Sequence, residues 1–138
     1  MKACALYVHI PFCEKKCAYC DFRSWAARSG DWPRYLDALE AEFASAAARY
    51  GKMPVGTVFI GGGTPSALPA DCIMRILAMT RARFELLPDA EITVEANPGT
   101  LSPEKLRAYR DSGVNRLSIG LQAAQERLLL MLGRVHSA

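Results

Sequence analysis

The stretch Ala5-Leu6-Tyr7-Val8-His9-Ile10-Pro11-Phe12-Cys13-Glu14-Lys15-Lys16-Cys17-Ala18-Tyr19-Cys20 joins a short strand to a metal-ligand arrangement. Ala5 to Ile10 is an apolar run stopped by Pro11, which predicts a buried strand. Cys13, Cys17 and Cys20 follow at the spacing Cys-x3-Cys-x2-Cys. Iron–sulfur clusters are held by cysteine thiolates. Three closely spaced thiols can grip three corners of a 4Fe-4S cube and leave the fourth iron without a protein ligand. That open iron is where chemistry could happen. Two blander readings stand beside it: a structural zinc site with His9 or Cys4 as fourth ligand, and cysteines acting only as small hydrophobes. Zinc sites usually set one cysteine pair against a second pair some distance away. No second pair follows here.

Working outward, the pattern alternates strands with helices. Asp31, with Pro33 in the first turn, starts a helix whose apolar positions Leu36, Leu39, Phe43, Ala46 and Ala47 recur at helical spacing, and Gly51 closes it. Val55 to Ile60 is a β-branched run that ends in Gly61-Gly62-Gly63-Thr64-Pro65. A helix is expected from about Ala70 to Arg83, with Ile73, Ile76, Leu77 and Thr80 on one side, then a strand Glu91 to Glu95 and a turn at Asn97-Pro98-Gly99. Ser102-Pro103-Glu104 carries a cap and a first-position proline, and Gly113 stops that helix. Asn115 to Ile119 reads as a fourth strand and Gln125 to Leu132 as a helix. The β-α-β-α-β-α-β-α order implies an α/β fold with a parallel sheet and helices packed outside it. Residues 1–138 show no internal linker, repeat or low-complexity segment.

Composition narrows the function classes. At 138 residues and 51% apolar, the chain is one domain or part of one. A net charge of +3, scattered along the chain, gives no case for nucleic acid or an anionic membrane. No apolar run is long enough to span a bilayer, and Met1-Lys2-Ala3-Cys4-Ala5-Leu6 runs into the histidine and cysteines without a small-residue cleavage site. A cytoplasmic location is the default expectation. Five cysteines, an odd number and clustered, suit metal binding in a reducing compartment better than a disulfide frame. Cys4 and Cys72 stand apart and read as buried small residues.

In a parallel β/α sheet, active-site groups collect on the loops after the strands. Each unusual motif falls there: the cysteine loop after the first strand, the triple glycine after the second, Glu95 at the end of the third, and Gly120-Leu121-Gln122 after the fourth. Glycines without side chains let the backbone approach a ligand closely, although the same turn could be only a tight strand-to-helix connection. It is neither a Walker loop nor the Gly-x-Gly-x-x-Gly dinucleotide pattern. By the same caution, Glu95 could be a solvated strand terminus, Tyr7 a core residue of its strand, and His9 a packing residue.

Cys-x3-Cys-x2-Cys directly after this strand resembles the cluster loop of radical S-adenosylmethionine (SAM) proteins. The flanking Tyr7-Val8-His9-Ile10-Pro11-Phe12-Cys13 and Tyr19-Cys20-Asp21-Phe22 narrow the likeness to the HemN/HemW group: oxygen-independent coproporphyrinogen III oxidases and their haem-chaperone relatives. The oxidase branch carries a further cysteine two residues after the third ligand. Phe22 stands there instead, and Cys20-Asp21-Phe22 is similar to the HemW form; the early start of the chain points the same way.

The resemblance implies Cys13, Cys17 and Cys20 as ligands of a 4Fe-4S cluster whose open iron chelates SAM. It implies SAM contacts from Tyr7 and Tyr19, from Gly62, Gly63 and Thr64 of Gly-Gly-Gly-Thr-Pro, from Glu95 of Glu-x-Asn-Pro, and from Gln122 of Arg-Leu-Ser-x-Gly-x-Gln. Arg134 of Leu132-Gly133-Arg134 is implied to reach the cofactor carboxylate, although so near the end of the chain it is expected to be poorly held. Ala123 and Ala124 depart from the family pattern after the glutamine.

Reductive cleavage of SAM would be the chemistry, served by an electron donor, with haem or a porphyrinogen as the further small molecule. The two functions implied are a haem chaperone and a coproporphyrinogen oxidase. The family fold is a partial barrel of six β/α units with a further C-terminal domain. Four units are legible here, so residues 1–138 read as the N-terminal portion of such a core. The tail Gly133-Arg134-Val135-His136-Ser137-Ala138 reads as mid-domain text.

Overall fold

The computed structural model describes residues 3–26, 30–134 and 136–137. Met1 and Lys2 of the N-terminal segment, and Val135 and Ala138 of the tail, lie outside the described residues. Elements follow in chain order: β1 (Cys4–Ile10), β2 (Phe12–Cys13), β3 (Trp25–Ala26), α1 (Asp31–Tyr50), β4 (Pro54–Gly62), α2 (Ala70–Arg83), β5 (Glu85–Ala96), α3 (Pro103–Asp111), β6 (Arg116–Ile119) and α4 (Glu126–Leu132). Single 3-10 turns sit at Pro65–Ala67 and Pro98–Thr100.

The main sheet has the order β1-β4-β5-β6 with every pair parallel, which is the α/β architecture expected from the alternating pattern. Side chains alternate across a strand, so each strand has two faces. Val8, Ile10, Val58, Ile60, Ile92 and Val94 are buried on one of them. They form a continuous core with Leu36, Leu39 and Phe43 of α1 and with Ile73, Ile76 and Leu77 of α2. Phe43 meets Phe84 edge-on at a centroid distance of 5.5 Å, which ties α1 to the start of β5. The opposite face carries Tyr7, His9, Phe59 and Glu95; it is more polar, and none of these four is fully buried.

Two strands depart most from their expected bounds, each for a pairing reason. β4 runs on through Gly61 and Gly62, because they lie in register with His9 and Ile10 of β1. β5 begins at Glu85, because Glu85 and Leu86 pair with Pro54 and Val55 before a register shift. The cysteine loop is pinched at its neck by β2 and β3, where Phe12 and Cys13 pair with Trp25 and Ala26. Cys72 is buried as expected, whereas Cys4 is only half-buried at the start of β1. Among the described residues no helix is long and apolar enough to cross a membrane.

Candidate functional site

The loops after β1, β4, β5 and β6 enclose a cavity of about 370 Å³, and every site residue expected from the sequence except Tyr7 lines it. The cysteine loop forms one wall. Its neck is the β2–β3 pair plus a bond from the Trp25 N–H to the Pro11 carbonyl at 3.0 Å. Lys16 lies across the loop and donates from Nζ to the carbonyls of Phe22 (2.8 Å) and Ser24 (3.3 Å). His9 Nε2 lies 2.9 Å from the carbonyl of Arg23. A carbonyl can only accept, so Nε2 carries the proton and Nδ1 accepts from the Tyr7 hydroxyl at 2.9 Å. Three consecutive carbonyls, 22 to 24, are thus held by side chains before and within the cysteine motif.

The glycine turn forms the facing wall. The Gly63 and Thr64 N–H groups donate to the carbonyls of Ile10 and Phe12, both at 2.7 Å. Gly62 has φ 114, a left-handed backbone that favours glycine, and its N–H donates to Glu95 Oε2 at 2.9 Å. A Cβ on Gly63 would lie 2.6 Å from the Phe12 carbonyl oxygen and 3.0 Å from Cys13 Sγ. The third glycine is therefore what allows the turn to lie against the first cysteine.

Arg134 bridges the walls. Its Nη2 donates to Asn97 Oδ1 and, at 2.6 Å, to the Gly120 carbonyl, while Nη1 lies 3.5 Å from both Cys17 Sγ and the Tyr19 hydroxyl. The expectation that Arg134 is poorly held is overturned, because two strand-end loops supply acceptors. Partial burial raises the Tyr19 phenol above its ordinary pKa, with the Arg134 guanidinium pulling the other way. Gln122 is exposed at the rim with φ 68, a left-handed conformation uncommon for a residue with a Cβ.

Tyr7 stands apart from the cavity. It is 56% exposed on the open face, where its ring stacks on Phe59. The core reading of Tyr7 fails because β1 buries the alternate residues Val8 and Ile10 instead. Partial burial, and after it the Glu95 carboxylate, raise its pKa. Asn97 is the residue that motif reasoning passed over: it lines the cavity, accepts from Arg134 and donates from Nδ2 to Thr64 Oγ1 at 3.3 Å. The signal was present in Glu-x-Asn-Pro.

The donor set suits a thiolate-held cluster with a zwitterionic ligand. All three cysteines are free, Glu95 supplies a carboxylate, and Arg134 Nε is a buried donor without a partner beside the same cavity. Among the described residues no three His, Cys, Asp or Glu side chains converge on one ion position. A four-iron cluster does not require that, since each thiolate takes a different iron.

A parallel β/α sheet with three cysteines after its first strand, facing a glycine turn after its second, defines a class of protein. The sequence model of the Radical SAM superfamily matches residues 7–138, and the chain belongs to that superfamily. Within it, the chain is similar to the heme chaperone HemW of Escherichia coli (strain K12), at 46% identity over 96% of this chain and 35% of that protein. It is similar also to the heme chaperone HemW of Bacillus subtilis (strain 168), at 44% identity over 94% of this chain and 35% of that one. The solved structure of coproporphyrinogen III oxidase (HemN) from Escherichia coli, a radical SAM enzyme, superposes with a TM-score of 0.90 at 35% identity, over 96% of this chain and 31% of that one. The chain spans about a third of the length of the curated relatives it matches.

Proposed function

We propose that the chain provides the cluster and SAM site of a HemW-like haem chaperone. The observation that carries the reading is the gathering of Cys13, Cys17 and Cys20 with Gly62, Gly63, Thr64, Glu95, Gln122 and Arg134 around one cavity. In this reading the cysteines ligate three irons of a 4Fe-4S cluster and leave the fourth for SAM. When bound, the cluster and SAM supply one-electron cleavage of a sulfur–carbon bond. The residues do the rest. Arg134 meets the SAM carboxylate with its guanidinium fork. Glu95, already fixed by the Gly62 N–H, offers its free lone pairs to the ammonium or ribose hydroxyls. Tyr19 and Gln122 border the cavity mouth, and Tyr7 orients His9 and through it the cysteine loop. Free, clustered thiols suit a reducing, cytoplasmic setting, and a one-electron donor is required as partner.

Phe22 favours the chaperone over the oxidase. It stands where the oxidase branch has a cysteine, and it is 62% exposed at the cavity. The likeness to the oxidase structure keeps decarboxylation of coproporphyrinogen III as the second reading.

Anaerobic reconstitution with iron and sulfide, followed by electron paramagnetic resonance of the reduced chain with and without SAM, tests the site. A 4Fe-4S signal that SAM perturbs and that Cys17→Ala lacks is the expected result. Zinc alone, or a cluster indifferent to SAM, would sink the reading. In a polypeptide of the relatives' length, haem titration and carbon dioxide release from coproporphyrinogen III separate chaperone from oxidase.

A further inference from the structure

Behind the cavity, anchored on the backbone of Asn97, lies a buried polar knot. The Asn97 N–H donates to Ser66 Oγ at 3.1 Å, and Thr100 Oγ1 donates to the Asn97 carbonyl at 2.8 Å. Ser66 Oγ and Thr100 Oγ1 are also bonded to each other. Each hydroxyl has one proton. Thr100 spends its proton on the Asn97 carbonyl, so the Ser66 O–H must donate to Thr100. The ring therefore runs in one direction, from the Asn97 N–H to Ser66 to Thr100 and back to the Asn97 carbonyl. Ser66 is 0% and Thr100 9% exposed, so this closed cycle lies in a low-dielectric place where aligned hydrogen bonds reinforce one another.

Lys105 closes the knot from outside. Its Nζ donates to the Ser66 carbonyl at 2.7 Å and to the Thr100 carbonyl at 3.0 Å. Helix preference does not account for this residue. Ser102 is the N-cap of α3 and accepts from the Lys105 N–H at 3.2 Å, so Lys105 holds the third helical position, where a capping box has Glu or Gln. A cation there opposes the helix dipole. It is also half-buried, and desolvation disfavours its charged form, an effect that the Glu14 carboxylate of the cysteine loop offsets only in part. Two costs at one position require a compensating contact, and the two carbonyls supply it.

We propose that Lys105 is a positioning residue of the cofactor cavity. Its ammonium clamps the turn after β4 to the turn after β5, and so fixes Thr64 and Asn97, and through Asn97 the guanidinium of Arg134, in one register. The proposal rests on the SAM reading for its ligand, while the clamp itself concerns only this chain. Lys105 is not among the residues that line the cavity, and it acts through Ser66, Thr100 and Asn97.

The experiment compares the parent chain with Lys105→Met, which keeps the aliphatic stem, and Lys105→Arg, which keeps donors. Two readouts are needed: amide hydrogen exchange of the cluster-free chain, and SAM affinity after reconstitution, with iron content measured for each. Lys105→Met is expected to speed exchange at residues 97–101 and to weaken SAM about tenfold with iron content unchanged, while Lys105→Arg stays within about threefold of the parent. If Lys105→Met exchanges and binds SAM like the parent, the proposal is overturned. If it fails to fold by circular dichroism, the arginine variant decides: restored exchange and affinity support the clamp, and tenfold loss there as well overturns it. If the parent holds a cluster and still ignores SAM, the SAM reading fails and this role for Lys105 fails with it, whereas the exchange comparison still shows whether the clamp exists.

Discussion

The cysteine loop, residues 13–26, and the turns that follow β4 and β5 face each other across the cavity and are held in different ways. The loop is exposed over most of its length, and its fastenings are a two-residue strand pair, a half-exposed histidine, an exposed lysine and long contacts to the end of α4, where the Ala18 N–H donates to the Leu132 carbonyl at 3.3 Å and Arg134 Nη1 lies 3.5 Å from Cys17 Sγ. The turn after β4 is mostly buried and the turn after β5 buries Thr100; a closed hydrogen-bond ring joins them, and Gly63 lies against backbone with no room for a Cβ. A site that must accept a large inorganic group on one side and grip a small ligand on the other is well served by that division. On the proposed reading, the wall that would receive the cluster is the more lightly fastened one, and the wall opposite is preorganised.

The sharpest way to break the comparison is Gly63→Ala. The new methyl would lie 2.6 Å from the Phe12 carbonyl oxygen and 3.0 Å from those of Ile10 and from Cys13 Sγ, so backbone rather than a flexible side chain must give way. A stability loss of about 3 kcal/mol or more is expected in urea denaturation. Gly30→Ala, where the backbone is left-handed but the surroundings are open, should cost only about 1–2 kcal/mol. Similar losses at the two glycines would mean that the turn yields and is not the rigid wall.

Next in size is Thr100→Val, which keeps shape and removes the hydroxyl through which the ring closes. The Ser66 O–H then loses its acceptor in a fully buried place, and the Asn97 carbonyl keeps only the Thr100 N–H at 3.0 Å. The expected cost is about 1–3 kcal/mol. Ser66→Ala should cost a similar amount, and the double variant clearly less than the sum, since both break one cycle. Additive losses would mean independent hydrogen bonds and no ring.

The same contrast explains what could be read in the sequence. The cysteine loop is legible as a candidate metal site because ligation demands particular residue types at particular spacings, and the strand ahead of it because alternating helices and strands leave a hydrophobic pattern. Gly62, Gly63 and Glu95 were legible as strand-end residues, and structure puts them at one cavity. Ser66, Thr100 and Lys105 were not. Hydroxyls after a turn and a lysine near a helix start are ordinary text, and only the fold brings residues 66, 97 and 100 within hydrogen-bond distance. Tyr7 failed as a core residue because a lone strand does not say which of its two faces the helices cover. The extra length of β5 was hidden by Pro88 and Asp89, which the sheet passes over with a register shift.

The smallest expected effect tests the soft wall. In Lys16→Met the ammonium that reaches the Phe22 and Ser24 carbonyls is removed; water replaces the 2.8 Å bond at exposed Phe22, and only the longer 3.3 Å bond ends on a buried residue, Ser24. The loss of overall stability should stay below about 1 kcal/mol, because an exposed charge gains little net energy from contacts it can exchange for water. Locally the consequence is larger. The Trp25 N–H bonded to Pro11 closes the neck beside this bridge, and its exchange should quicken several-fold while the Gly63 and Thr64 amides hold their rates. Faster exchange on both walls would show that loop and turns open as one unit. A change confined to the loop would mean that the cysteine wall moves against a fixed glycine wall, which is the arrangement under which cluster uptake can reshape one side of the cavity without loosening the other.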